Sequence, residues 1–209
     1  MTVKVIVFDF DGTLIDSNQL KYDAFFELFS SKNHHKQIIK NVLNEILEES
    51  RYVILREIIK RLNTEMHEDE LDDRVQKLAN RYNKIVVDGA KHCNEKPGAK
   101  EVLVSLSKRF KLYLSSTTPE VSLKEIVRHR IWANYFCDIF GYPNDKRAVL
   151  LNIIKKEPVN PDELLVVGDG KSDRNSANSV KCKYFRISND SSLMVLLDLN
   201  LKTTNILLL

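Results

Sequence analysis

The 209-residue chain has no apolar run long enough to span a membrane, and its first residues pass straight into a strand-like segment with no signal-like stretch. A cytoplasmic protein without a membrane partner is therefore expected. Cysteine is scarce: Cys93, Cys137 and Cys182 are odd in number and widely spaced, which fits reduced thiols and neither a disulfide framework nor a zinc site. Strong charge of one sign is missing too. Lysine and arginine total 32 against 29 aspartates and glutamates, a formal net charge of +3, and the basic residues are interleaved with acids. Nucleic acid, which calls for a concentrated basic face, is not an expected partner. There are no internal repeats and no low-complexity segments. What remains, 43% apolar and 29% charged, is a globular composition, and the length allows one well-buried core plus a modest insertion.

The stretch Val3-Lys4-Val5-Ile6-Val7-Phe8-Asp9-Phe10-Asp11-Gly12-Thr13 organises the rest. Its β-branched and aromatic residues, bounded by Gly12, read as a buried strand that delivers whatever follows to the carboxyl edge of a sheet. Asp9 and Asp11 stand there, two residues apart, pointing the same way where the strand is still regular. Carboxylates so close repel, and they call for a cation or a shared proton. Gly12 permits a sharp turn, and Thr13 offers an amide and a hydroxyl where a phosphate oxygen can sit.

Beyond this point the pattern becomes helical. Asp16-Ser17-Asn18 can cap a helix through Leu20, Ala24, Phe25, Leu28 and Phe29, and apolar pairs four apart mark helices at 38–47 and 53–62. A further helix follows the acidic Glu68-Asp69-Glu70 and runs through Val86. Residues 16–92 thus read as an all-helical insertion. His34-His35 reads as a polar loop within it, since adjacent residues do not share a helix face for metal binding. From Lys96-Pro97-Gly98, with Pro97 in the first turn of a helix, α and β alternate: strands at 110–114, 136–140, 164–167 and 183–187, helices at 119–132, 146–156 and 172–180. Such alternation builds a parallel sheet with helices on both faces and ligands at the strand carboxyl ends. The expected fold class is α/β, a Rossmannoid parallel sheet formed by residues 1–15 and 93–209, with an α-helical cap of residues 16–92 inserted after the first strand. Segments 191–199 and 205–209 are apolar enough to pack on the core, the last as strand or tail.

Three later strand ends carry polar residues. Ser115-Ser116-Thr117-Thr118-Pro119 would alone be a polar turn and helix cap. Lys146 opens a helix, where the helix dipole disfavours a cation. In Leu164-Leu165-Val166-Val167-Gly168-Asp169-Gly170-Lys171-Ser172-Asp173, an apolar strand ends in a Gly-Asp-Gly turn; a capping role explains Asp173 but leaves Asp169 unexplained.

Taken in order, these stretches and Asp9-Phe10-Asp11-Gly12-Thr13 resemble the motifs of the haloacid dehalogenase (HAD) superfamily, most of whose members are Mg2+-dependent phosphotransferases. The resemblance covers residues 1–15 and about 93–190; the cap is matched by helical character and position. It implies that Asp9 is a nucleophile forming an aspartyl-phosphate, with one oxygen on Mg2+. It implies that Asp11 is the acid for the leaving alcohol and later the base for water, its backbone carbonyl also on the metal. Asp169 would bind the metal directly and Asp173 would support it or reach it through water. Ser116 or a neighbouring hydroxyl such as Thr117, with Lys146, Gly12 and Thr13, would face the phosphoryl oxygens. Charge supports the metal independently: Asp9, Asp11, Asp169 and Asp173 against one obvious lysine would repel a phosphate dianion, so a hard divalent cation is required. Lys21 stands in the stretch where mutases of the family carry a histidine, and is a candidate for gripping the substrate. The expected function is Mg2+-dependent hydrolysis of a small phosphorylated metabolite, similar to phosphoglycolate and capped sugar-phosphate phosphatases. The alternatives are another phosphotransferase of the family, such as a sugar phosphomutase, and a catalytically silent binding module.

Overall fold

The computed structural model describes residues 2–29, 32–47, 49–63, 67–188 and 193–198. The chain divides into two compact units, one of residues 1–17 with 91–209 and one of residues 18–90.

The first unit is built on five parallel strands: β1 (Val5–Phe8), β2 (Lys111–Pro119), β3 (Asp138–Tyr142), β4 (Leu164–Gly168) and β5 (Lys183–Arg186), ordered β3-β2-β1-β4-β5. β1 is central, paired through Phe8 to Leu114 of β2 on one side and to Val167 of β4 on the other. The chain leaves β1 in one direction along the sheet and returns past it in the other, so the carboxyl end of β1 is the switch point where such sheets open a crevice. Since parallel crossovers are right-handed, the two directions place their helices on opposite faces. The helices are α5 (Ala99–Leu106), α6 (Glu120–His129), α7 (Lys146–Lys156), α8 (Lys171–Val180) and the short α9 (Val195–Asp198), after α1 to α4 of the second unit. Val149, Leu150 and Ile153 of α7 and Ala177 and Val180 of α8 close over Val5, Val7, Tyr113, Leu164 and Val166. Ile6 and Phe8 alternate to the other face and are equally buried, which is why β1 carries no polar residue before Asp9.

The second unit is helical: α1 (Asn18–Glu27), α2 (Asn33–Ile46), α3 (Arg51–Leu62) and α4 (Glu68–His92), the last two residues of α4 belonging to the first unit. Its apolar faces meet in a core of its own around Phe25, Leu43, Leu55, Ile58, Leu71, Val75 and Tyr82. Ser50 caps α3 by accepting from the Val53 amide, and three acids open α4 while Lys91 and His92 close it, matching the helix dipole at both ends. Among the described residues no helix is long and apolar enough to cross a membrane.

Several boundaries differ from expectation. His34 and His35 lie in the first turn of α2, not in a loop: the helix starts at Asn33, ahead of its first apolar residue, Ile38. Pro97 stands just outside α5; Gly98, with φ 80°, makes the turn into it. α6 stops at His129, and Ile131 then takes φ 60°, which lets Trp132 bury against the core. β2 continues to Pro119, with an irregularity between Ser115 and Pro119 in its pairing with β3. The segment 205–209 and residues 191, 192 and 199 lie outside the described residues, while Leu193 and Leu196 of the stretch between are buried, as expected.

Gly141 of β3 sits against that irregular strand end. A Cβ there would come 2.4 Å from Glu120 Cα and 2.5 Å from the Thr118 carbonyl, both backbone. Gly141→Ala is expected to destabilise the fold by about 1–3 kcal/mol, read as a lower urea midpoint; an unchanged midpoint would show that the strand end is free to shift.

Candidate active site

Every charged residue of the site stands at or just past the carboxyl edge of the sheet. Beyond Phe8 the chain turns at once: Gly12, at φ 75°, donates its amide to Ile15, and the Leu14 and Ile15 amides donate to the Phe10 carbonyl. The turn leaves Asp9 in register, its amide still bonded to Val167 of β4, and brings the Thr13 hydroxyl to Asp9 Oδ2 at 3.4 Å and Asp169 Oδ1 at 3.3 Å.

Lys146 holds the other side of Asp9. Asp145 caps α7 by accepting from the Ala148 amide, and the next residue sends its ammonium inward to Asp9 Oδ1 at 2.7 Å and Asp173 Oδ1 at 2.6 Å. The lysine is only 9% exposed, although it is the first residue of a helix. Asp173 is drawn towards it by the turn after β4. A Cβ on Gly168 would lie 2.3 Å from Asp173 Cγ, so glycine is what lets the carboxylate fold back across the strand end. The Gly170 amide also donates to Asp173 Oδ2 at 3.3 Å.

These contacts do not neutralise the cluster. Burial first, then the charge of Asp173, pushes the Asp9 carboxyl up to about 7, with the Lys146 ammonium offsetting only part. Burial likewise raises the Asp173 carboxyl, against the pull of Lys146. Burial acts against the Lys146 ammonium, but the two carboxylates outweigh it and hold its pKa above the usual lysine value.

Asp11 occupies different surroundings. Its Oδ1 accepts from the Ser17 hydroxyl at 2.7 Å, and its Oδ2 accepts from Thr118 Oγ1 at 2.8 Å and Ser116 Oγ at 3.2 Å, all of them buried. Ser116 Oγ in turn accepts from the Thr118 amide at 3.0 Å, which fixes the end of β2 against the carboxylate.

With this geometry in view, comparison with known proteins decides the family: residues 6–187 match the haloacid dehalogenase-like hydrolases. The chain belongs to that family. A curated relative, phosphoglycolate phosphatase from Vibrio vulnificus, is 27% identical over 89% of this chain and 84% of its own length. Another, phosphorylated carbohydrates phosphatase from Thermotoga maritima, is 25% identical over 85% of this chain and 81% of its own. Among solved structures, the HAD-hydrolase YfnB from Bacillus subtilis, described as bound to magnesium, superposes with a TM-score of 0.70 over 95% of this chain and 98% of its own at 16% identity. That last likeness speaks to the fold.

For a HAD hydrolase, the sequence motifs converge as follows. Asp9, Lys146, Asp169, Asp173 and Thr13 meet in one cluster, and Ser116 joins Asp11 beside it. Thr117 is exposed, and its neighbours on either side carry the inward hydroxyls. Gly12 shapes the turn through its amide. Lys21 lies on α1 of the helical unit, half-buried, its carbonyl accepting from Tyr82. Sequence reading missed Ser17 and Thr118 as partners of Asp11. Ser17 had the look of a helix cap, and the only signal for Thr118 was its place two residues beyond Ser116, on the same side of an extended strand.

The cluster fits a hard cation. Asp9, Asp169 and Asp173 each offer an oxygen, and these lie within 4.8 Å of one another. Magnesium holds its ligands at about 2.1 Å, which brings them within roughly 3–4 Å of each other, a small adjustment from this arrangement. Added Mg2+ is therefore expected to raise the melting temperature of the wild type and to raise it far less in Asp169→Asn; equal shifts would place the ion elsewhere.

A second expectation concerns the metal-free protein. Because the folded Asp9 binds its proton more tightly than the unfolded chain does, the Asp9 contribution to stability falls as pH rises from about 4 to about 7 and levels off above. In EDTA, Asp9→Asn should match the wild type near pH 4 and exceed it above pH 7, by on the order of 2 kcal/mol in thermal melts. A variant less stable than wild type at pH 8 would contradict this.

Proposed function

We propose that this HAD-family phosphatase depends on Mg2+ and hydrolyses a small phosphate monoester through an aspartyl-phosphate on Asp9. One observation carries the reading: Asp9 and Asp11, two residues apart, occupy opposite surroundings. Asp9 is buried among charges, against Lys146 and two further carboxylates, whereas Asp11 is held by neutral hydroxyls. Two carboxylates in environments that different suit two different roles.

Asp9, Asp169 and the Asp11 backbone carbonyl would hold the metal, with Asp173 binding directly or through water; Mg2+ so held supplies the positive charge that lets a phosphate dianion approach. The Asp9 carboxylate attacks phosphorus, forming a new O–P bond as the bond to the alcohol oxygen breaks. Asp11 gives that oxygen a proton, then takes one from the water that attacks the aspartyl-phosphate, which releases inorganic phosphate and frees Asp9. Hydroxyls suit both states of Asp11, since each donates to the carboxylate and accepts from the acid. Lys146 keeps Asp9 oriented and, with Ser116 and Thr13, faces the phosphoryl oxygens.

The names of the curated relatives, for phosphoglycolate and for phosphorylated carbohydrates, support small esters bearing carboxylate or hydroxyl groups as the substrate class. Lys21 is assigned to such a group from its place in the chain. A release of inorganic phosphate from a panel of these esters that requires Mg2+, stops in EDTA, and falls by roughly three orders of magnitude or more in Asp9→Asn is the expected result. Isomerisation of a sugar phosphate without phosphate release would instead identify a mutase, and a folded, metal-binding protein inert towards the whole panel would sink the enzymatic reading.

A further inference from the structure

The hydroxyls around Asp11 are unequally placed. Ser17 approaches Oδ1 from the end of the turn that follows β1, while Thr118 approaches Oδ2 from the far end of β2. Ser116 lies farther from Oδ2 and already accepts the Thr118 amide. Thr118 thus fixes Asp11 twice, by its own hydroxyl at 2.8 Å and by holding Ser116 in place through its backbone. Its backbone is secured in turn. Its carbonyl packs against Gly141, and the Glu120 carboxylate at the start of α6 accepts from the Gly141 amide at 3.3 Å and the Asn144 side chain at 2.7 Å. With Thr118 only 4% exposed, water cannot easily replace a lost hydroxyl.

We propose that Thr118 is a positioning residue for Asp11, holding its carboxyl group where it can protonate the leaving alcohol. The inference rests on the phosphatase reading and assigns a role within it. It has a chemical consequence. An alkyl phosphate expels a strongly basic alkoxide that needs a proton as the P–O bond breaks, whereas p-nitrophenyl phosphate expels a stable phenolate that does not. Misplacing Asp11 therefore penalises the first substrate selectively. A hydroxyl that only stabilised the fold would affect both alike.

The test compares kcat/KM, which reports the steps through departure of the leaving group, for wild type, Thr118→Val and Thr118→Ser. The substrates are p-nitrophenyl phosphate and the alkyl ester with the highest turnover in the panel. For Thr118→Val, kcat/KM on the alkyl ester should fall about 10- to 100-fold, with most of the loss in kcat, and on p-nitrophenyl phosphate by less than about threefold. Thr118→Ser, which keeps the hydroxyl, should restore the alkyl activity. If the valine variant does not fold, Thr118→Ala against Thr118→Ser isolates the same hydroxyl. Equal losses on both substrates, no loss on either, or failure of serine to rescue would overturn the role of Thr118 while leaving an active phosphatase. An inactive wild type would instead overturn the phosphatase reading, and this inference with it.

Discussion

The bridge from the Lys146 ammonium to Asp9 and Asp173 is the contact on which the rest of the site depends. Taking charges out of water costs several kcal/mol per ion, and a buried pair repays this only when its geometry is good and its remaining hydrogen-bonding capacity is met. Here one cation faces two carboxylates, at 2.7 and 2.6 Å, with Asp169 close by. The cluster remains short of positive charge. Burial first, and then that shortage, raise the Asp9 carboxyl, and the shortage suits the cluster to a divalent cation.

Geometry makes the bridge possible by bringing three chain segments to one edge. β1 supplies Asp9 from the centre of the sheet, α7 supplies Lys146 from its first residue, and the β4–α8 turn with the first turn of α8 supplies Asp169 and Asp173. Two glycines do what no other residue can: Gly12 turns the chain at positive φ, and Gly168 leaves room for the Asp173 carboxylate. The cation at a helix N-terminus, unfavourable by the helix dipole, is tolerated because two carboxylates meet it there.

Much of this was legible from residue order. A strand of alternating, doubly buried apolar residues ending in Asp9 and Asp11, a second ending in Gly168-Asp169, and a central helical stretch at 3.6-residue spacing are local patterns, and local patterns fix secondary structure. Boundaries were less legible where tertiary contacts override them. β2 runs on to Pro119 because β3 pairs with it there, and α2 takes in His34-His35 because the helix starts ahead of its first apolar residue, where no hydrophobic pattern marks it. The hydroxyl cradle of Asp11 was the hardest feature to see. Ser17 resembles a helix cap and Thr118 resembles one more polar turn residue; only the fold brings 17 and 118 to the two oxygens of residue 11.

The sequence by itself determined the sheet, the order of its motifs and the types of residue at its carboxyl edge, since strand periodicity, glycine punctuation and carboxylate spacing act over a few neighbours. Tertiary structure decided which oxygen faces which partner. Burial of Asp9 with Lys146 and the placement of Asp11 among hydroxyls join residues more than a hundred positions apart, and so two identical side chains, two residues apart, stand in different surroundings.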